Sequence, residues 1–226
     1  MYYLISTMKK VLALNGSMRK YGNTTILLQH FLDGAKNFAG AVEEIVARDI
    51  NLEYCRGCLR CNLLGRCSVS GDDWLELSNK ILDANVLVFA SPIYFHHITS
   101  SLKKIIERFR SFVHIQITET GLIHTPWQEW DKDLVLLLCM GSSDVSDARP
   151  VIELFKFIRS ILGQKNRLHI ITATRLAVIK QVIKTEEELR ELYPKLNLPP
   201  DLAKEDFSKN QKVLKQCFEL GKALAQ

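Results

Sequence analysis

Residues 10–25 read KVLALNGSMRKYGNTT. Val11–Leu14 is a short apolar run that stops at Asn15-Gly16-Ser17, as a buried strand stops at a turn. Beyond the turn, Leu27, Leu28, Phe31, Leu32, Ala35 and Phe38 recur at helical spacing. A strand, a small polar loop and an amphipathic helix open an α/β unit. The loop carries hydroxyls, an amide, a guanidinium and backbone N–H groups ahead of a helix N-terminus, all good partners for a phosphate. Gly16 and Gly22 let the backbone turn and approach a ligand. No Gly-Lys-Ser/Thr closes the loop, so it is not a Walker A loop, and Gly-x-Gly-x-x-Gly is absent too. The plainer alternative is that Asn23 or Thr24 caps the helix and the rest is connector.

The same alternation continues outward. Glu43–Arg48 reads as a second strand, Val86–Ala90 as a doubly buried one ending at Ser91-Pro92, and Leu134–Met140 as another ending at Gly141-Ser142-Ser143. Leu168–Ala173 is the last strand. Asp72 or Asp73 is positioned to cap a helix carrying Trp74, Leu75, Ser78, Ile81 and Leu82. Leu102, Ile105, Ile106, Phe109, Phe112 and Val113 share one face of the next helix, and Pro150 opens a third that Gly163 closes. Thr185 with Glu188 and Ser208 with Gln211 are capping-box patterns opening two C-terminal helices, separated by Leu198-Pro199-Pro200. His114–Trp130 shows few helix signals and suits a lid, a subunit contact or a structural loop. The pattern predicts one α/β domain over residues 1–226, a doubly wound five-stranded parallel sheet with helices on both faces and a C-terminal helical extension from about residue 180. Ligands of such sheets bind beyond the carboxyl ends of the strands. The loops at Asn15, Ser91 and Gly141 then lie along one edge.

Cys55-x2-Cys58-x2-Cys61-x5-Cys67 puts four of the chain's six cysteines in one loop, residues 55–67, with Gly57 and Gly65. Three cysteines spaced by two residues can wrap one iron–sulfur cubane, whereas structural zinc usually joins two separated pairs. A cluster, a zinc ion, and thiols without metal or paired as a redox disulfide all remain open from spacing alone. Arg56, Arg60 and Arg66 are interleaved and suit either an anionic cluster or a solvated loop. Cys139 and Cys217 read as small core residues.

The 226 residues are 47% hydrophobic and 24% charged, which excludes disordered, collagen-like and disulfide-scaffold classes. Thirty basic against 25 acidic residues give a net charge of +5, too small to argue for nucleic acid. No apolar run approaches the roughly 18–20 residues of a membrane helix. Met1–Lys10 lacks the pattern of a secretory signal, Met8 is an alternative start, and a reducing cytoplasm is the expected compartment.

The string NGSMRKYGNTT resembles the phosphate loop of the NAD(P)H-dependent FMN reductase family, a pattern close to Gly-Ser-x-Arg-x-x-Gly-Asn-Thr. ASPIYFHHITSSLKKIIERF, Ala90–Phe109, is similar to the family's second motif, with Ser91, Pro92, Ile93, Tyr94, Lys103 and Arg108 in place and His96 and His97 departing from its usual small residues. CRGCLRCNLLGRC resembles the compact motif of the iron–sulfur flavoproteins, a branch of the same group that carries a [4Fe–4S] cluster near the flavin. The likeness runs from about residue 10 to about residue 145 and fades in the C-terminal third. It implies a flavodoxin-like fold with strand order 2-1-3-4-5. Ser17, Arg19, Gly22, Asn23 and Thr24 would hold the FMN phosphate, Pro92, Ile93, Tyr94 and Phe95 would flank the isoalloxazine, and Gly141 and Ser142 would lie near its pyrimidine edge. Cys55, Cys58, Cys61 and Cys67 would be the cluster ligands. NAD(P)H as co-substrate, a homo-oligomer (dimer or tetramer) and a small-molecule or redox-protein electron partner are implied as well, with no part for nucleic acid or membrane. A plain NAD(P)H-dependent FMN or quinone reductase is the alternative enzyme, and a zinc-stabilised binding module the non-enzymatic one.

Overall fold

The computed structural model describes residues 8–226; the N-terminal reading of Met1–Thr7 lies outside them. The elements run β1 (Lys10–Asn15), α1 (Asn23–Ala35), β2 (Ala41–Val46), α2 (Cys61–Leu64), α3 (Trp74–Asp83), β3 (Val86–Pro92), α4 (Ser100–Arg108), β4 (Val113–Thr118), β5 (Gly121–Pro126), β6 (Asp133–Cys139), α5 (Arg149–Leu162), β7 (Arg167–Ala173), α6 (Glu186–Leu192) and α7 (Leu202–Ala225). Five strands form one parallel sheet in the order β2-β1-β3-β6-β7, which is 2-1-3-4-5 when only sheet strands are counted. The fold is flavodoxin-like.

Strand alternation sorts the core onto two faces. Leu12, Leu14, Leu87, Phe89, Leu134 and Leu136 face α3, α4 and α5, where Trp74, Leu102 and Phe155 meet them. Val11, Ala13, Val86, Val88, Val135 and Leu137 face α1 and α7, where Phe31, Leu28 and Cys217 meet them. α1 and α7 cross closely. A Cβ on Gly34 would overlap the Phe218 carbonyl, and one on Gly221 the Phe31 carbonyl. Glycine is needed at both for close approach, not for its backbone freedom.

Three local expectations are revised. The apolar stripe from Leu102 to Val113 is not one helix: α4 stops at Arg108, a 3-10 turn covers Phe109–Phe112, and Val113 begins a strand. The segment after it holds a β-hairpin, β4 with β5, because His114-Ile115-Gln116-Ile117-Thr118 has the two-residue period of a half-exposed strand. The Ser208 capping box does not form. α7 has already begun at Leu202, since Ala203, with Leu202 and Phe207 packed around it, joins Leu189 and Tyr193 in a small third core. The Thr185 box forms fully: Thr185 Oγ1 accepts from the Glu188 N–H at 3.2 Å and Glu188 Oε2 from the Thr185 N–H at 2.8 Å.

Candidate functional site: a pocket at the carboxyl edge and a cysteine cavity

The loop after β1 is fixed before any ligand arrives. Asn15, buried at the strand end, accepts the Ser17 N–H at 2.9 Å and donates to Glu44 at 2.8 Å. Gly16 donates to the Ala90 carbonyl at 2.7 Å and accepts from Thr99 Oγ1 at 2.8 Å. A Cβ on Gly16 would press on Thr99 and Leu102, so this glycine too answers to close packing. No side chain caps α1, and the Gly22 backbone stands at its N-cap. The Asn23 side chain is instead turned to the loop after β7: it donates to the Val178 carbonyl at 2.8 Å and accepts from the Val182 N–H at 3.0 Å. The first-turn N–H groups of α1 therefore face the loop without a capping side chain, the arrangement that suits an anion.

Ser17, Arg19, Gly22, Asn23 and Thr24 line a pocket of about 210 Å³ together with Pro92, Ile93, Tyr94 and Gly141. The loops after β1, β3 and β6 thus meet at the carboxyl edge, as the register Asn15↔Ala90 and Pro92↔Cys139 requires. Ser142 and Phe95 do not line the pocket. Ser142 accepts the Asp144 N–H at 3.0 Å. Phe95 is fully exposed on a tight turn in which Tyr94 and His97 exchange backbone hydrogen bonds at 2.9 and 3.0 Å. Phe95 and His96 both adopt left-handed φ, 49° and 61°, which costs non-glycine residues about 1–3 kcal/mol each.

Four further lining residues escaped the sequence reading: Cys139, Met140, Leu176 and Ala177. The last two come from the loop after β7, and the Ala177 carbonyl accepts from the Arg19 guanidinium at 3.0 Å. Burial pushes the Cys139 thiol up to about 12, so it stays protonated in the pocket wall. Arg48 donates to the Ser17 carbonyl at 3.0 Å, and Lys20 and Lys180 flank the Tyr21 ring at 5.5 and 5.1 Å. Of these cations, only Arg19 lines the pocket itself.

The second site is the cysteine loop. Cys55, Cys58, Cys61 and Cys67 all line one cavity of about 360 Å³, with Arg56, Arg108 and Arg110 around it. Gly57, Leu59 and Gly65 take left-handed φ of 62°, 57° and 64°, which folds the loop tightly. Its neck is closed by carboxylates. Asp72 accepts the Glu53 N–H at 2.9 Å, and Asp73 accepts the Asn51 N–H at 2.9 Å. Arg108 then donates to Asp72 at 2.6 Å and to the Glu53 carbonyl at 2.8 Å. The side chains of Arg108 and Asp72 are 0% and 2% exposed. Burial works to raise the Asp72 carboxyl, but the hydrogen bonds from Arg108, Glu53 and Trp74 outweigh it and hold it below the usual carboxylate range. At mid-loop, Asn62 mimics a neighbouring strand, donating to the Ile115 carbonyl at 2.8 Å and accepting the Ile115 N–H at 3.0 Å.

Among the described residues, no three Cys, His, Asp or Glu side chains converge tightly enough to share one ion. The four thiols border a wide cavity rather than a tetrahedral point with metal–sulfur distances of about 2.3 Å. Arg108, one of the residues lining the cavity, has a buried Nε without a hydrogen-bond partner. Four thiols, flanking cations and an orphaned donor fit an anionic, sulfur-ligated group larger than an ion. The two cavities share no lining residue.

The profile of the NADPH-dependent FMN reductase family matches residues 9–173. The chain belongs to that family. It is 32% identical over 105 residues to an iron–sulfur flavoprotein of Archaeoglobus fulgidus, covering 46% of this chain and 47% of the relative. It is 34% identical over 101 residues to one of Methanocaldococcus jannaschii, covering 45% and 52%. The chain thus spans about half the length of the curated relatives it matches. In fold it is similar to an FMN-dependent NADH-azoreductase of Bacillus anthracis solved with FMN, with TM-score 0.63, 17% identity and coverage of 96% of this chain and 100% of that one. A NAD(P)H:quinone oxidoreductase of Methanothermobacter marburgensis superposes with TM-score 0.59 at 14% identity over 98% of each chain. No helix among the described residues is long and apolar enough to cross a membrane.

Proposed function

We propose that the protein is an FMN-dependent oxidoreductase of the iron–sulfur flavoprotein type, with NAD(P)H or a redox partner as electron donor. The observation that carries the reading is the meeting of the loops after β1, β3 and β6 around one pocket with the Arg19 guanidinium in its wall. Bound FMN supplies hydride acceptance and single-electron transfer, which is why no side-chain acid or base is required. Ser17, Thr24 and the α1 N-terminus bind the phosphate, and Arg19 neutralises it. Pro92, Ile93 and Tyr94 wall the isoalloxazine, and Gly141 offers backbone groups to its polar edge. Cys55, Cys58, Cys61 and Cys67 hold a [4Fe–4S] cluster in the cavity behind the Asp72–Arg108 neck. Two features support this: the orphaned Arg108 donor, and the iron–sulfur flavoproteins among the relatives.

A second reading keeps FMN and omits the cluster. It is favoured by the structural likeness to proteins described as azoreductase and quinone oxidoreductase. The reducing cytoplasm that keeps such thiols intact is the proposed compartment. The working form is proposed as a homo-oligomer exchanging electrons with a small molecule or redox protein.

Anaerobic purification followed by a visible spectrum and metal analysis tests the assignment. The expected product is brown, with one flavin and about four irons per chain. A yellow, iron-free protein selects the plain reductase, and a colourless zinc protein sinks both enzymatic readings.

A further inference from the structure

The fourth wall of the mononucleotide pocket comes from the loop after β7, residues 174–182, and a network of buried polar groups runs from it into the C-terminal third. Leu176 and Ala177 line the pocket. Arg175 and Lys180 hold left-handed φ of 54° and 60°, a conformation that non-glycine residues keep only where their surroundings impose it. Gln181, fully buried, imposes it locally. Its Oε1 accepts the N–H groups of Ala177 and Val178 at 3.0 Å each, and its Nε2 donates to the Arg175 carbonyl at 2.7 Å.

The outer anchor is Asp206 on α7, which is 5% exposed. Arg175 donates to Asp206 Oδ1 through Nε at 3.1 Å and Nη2 at 2.8 Å, and the Tyr193 hydroxyl donates to Oδ2 at 2.6 Å. The loop is thereby stretched between α7 and the phosphate loop, where Asn23 and Arg19 take hold of its carbonyls. Arg19 has a long, solvent-facing side chain with about 2 kcal/mol of rotamer freedom to lose on binding, and the Ala177 carbonyl is the contact that restrains it beforehand.

We infer that Asp206 is a positioning residue for the ligand's phosphate. Through Arg175 and the loop it fixes the Ala177 carbonyl, and through that carbonyl it sets the Arg19 guanidinium at the phosphate end of the pocket. The inference rests on the FMN reading and adds that the C-terminal helix confers selectivity for the phosphorylated flavin.

The test compares FMN with riboflavin, which lacks the phosphate. Full-length, deflavinated wild type and Asp206→Asn are titrated with each flavin by fluorescence, well below either melting temperature. FMN affinity is expected to fall about tenfold in the variant, equivalent to about 1.4 kcal/mol, while riboflavin affinity holds. The Ala177 and Val178 amides should exchange hydrogen faster. Thr185→Ala, which removes the neighbouring helix cap, lowers stability but should keep the wild-type FMN-to-riboflavin ratio. Arg175→Lys, which retains charge but loses the fork, is the second variant should Asp206→Asn not fold. An unchanged ratio in whichever variant folds, or an equal loss of both flavins, overturns the inference alone. Wild-type protein that takes up no FMN overturns the functional reading and the inference with it.

Discussion

Replacing Asp72 with alanine should open the neck of the cysteine loop. Asp72 accepts from Arg108, Glu53 and Trp74, and its removal leaves a wholly buried guanidinium with the Glu53 carbonyl and the Trp74 ring, 5.0 Å away, as its partners. Breaking a buried pair by deleting one member costs about 3–5 kcal/mol, against 0–1 for an exposed pair. For a chain of this length each kcal/mol lowers the melting temperature by about 2–4 °C, so a loss of 4 kcal/mol corresponds to a fall of about 8–16 °C. The pH dependence carries a definite sign. The Asp72 carboxyl is held below its ordinary value of 3.8, so its stabilisation is complete above that pH and disappears as the pH falls through the lower folded value. Thermal melts of the metal-free protein at pH 7 and pH 3 measure both effects, and thiol labelling of the loop reports whether it has opened. The expected result is a large gap between wild type and Asp72→Ala at pH 7 that narrows at pH 3, with faster labelling and lower iron uptake in the variant. A loss under 1 kcal/mol at pH 7 with unchanged labelling would refute the view that this pair closes the loop.

Gly34→Ala should destabilise the protein by about 1–3 kcal/mol in urea titrations despite alanine's better helix propensity, because the added methyl meets the Phe218 backbone. Stabilisation there would mean that α1 and α7 do not cross so closely. Phe95→Gly should raise the melting temperature by relieving a left-handed φ, about 1 kcal/mol, and leave FMN affinity unchanged since Phe95 lies outside the pocket; weaker FMN binding would place it in the site after all. Burial pushes the Lys132 ammonium down to about 8, below its unfolded 10.5, so the unfolded chain binds that proton more tightly. Wild type should therefore gain stability relative to Lys132→Met as the pH rises from 8 toward 10.5, and a constant difference across paired denaturant titrations would exclude this.

The fold was legible because its signal is periodic. Val86–Ala90 and Leu134–Met140 are too uniformly apolar for anything but strands covered twice, and Phe31 or Phe155 falls where a helix must face them. Most of the carboxyl-edge pocket was legible for the same reason, since parallel strands put Ser17, Pro92 and Gly141 on one edge whatever their spacing in sequence. The hairpin at Val113–Pro126 was not, because its alternation is half polar and its turn, Glu119-Thr120, lacks the usual Asn-Gly signature. The loop after β7 was hidden more deeply. Leu176 and Ala177 are ordinary residues whose place depends on hydrogen bonds of their loop with Asn23, Gln181 and, through Arg175, Asp206, none of which has a sequence period. The Ser208 box failed because a capping pattern is only local, and packing of Ala203 beside Tyr193 had already started the helix.

The proposed enzyme stands or falls with flavin mononucleotide binding at the carboxyl edge. Acid denaturation of freshly purified protein, with the released chromophore separated and quantified against FMN and riboflavin standards, measures it directly. The expected yield is FMN near one per chain, regained by the deflavinated protein on adding FMN. Protein that releases no flavin and takes up none when FMN is supplied would contradict it, whatever metal the cysteines hold.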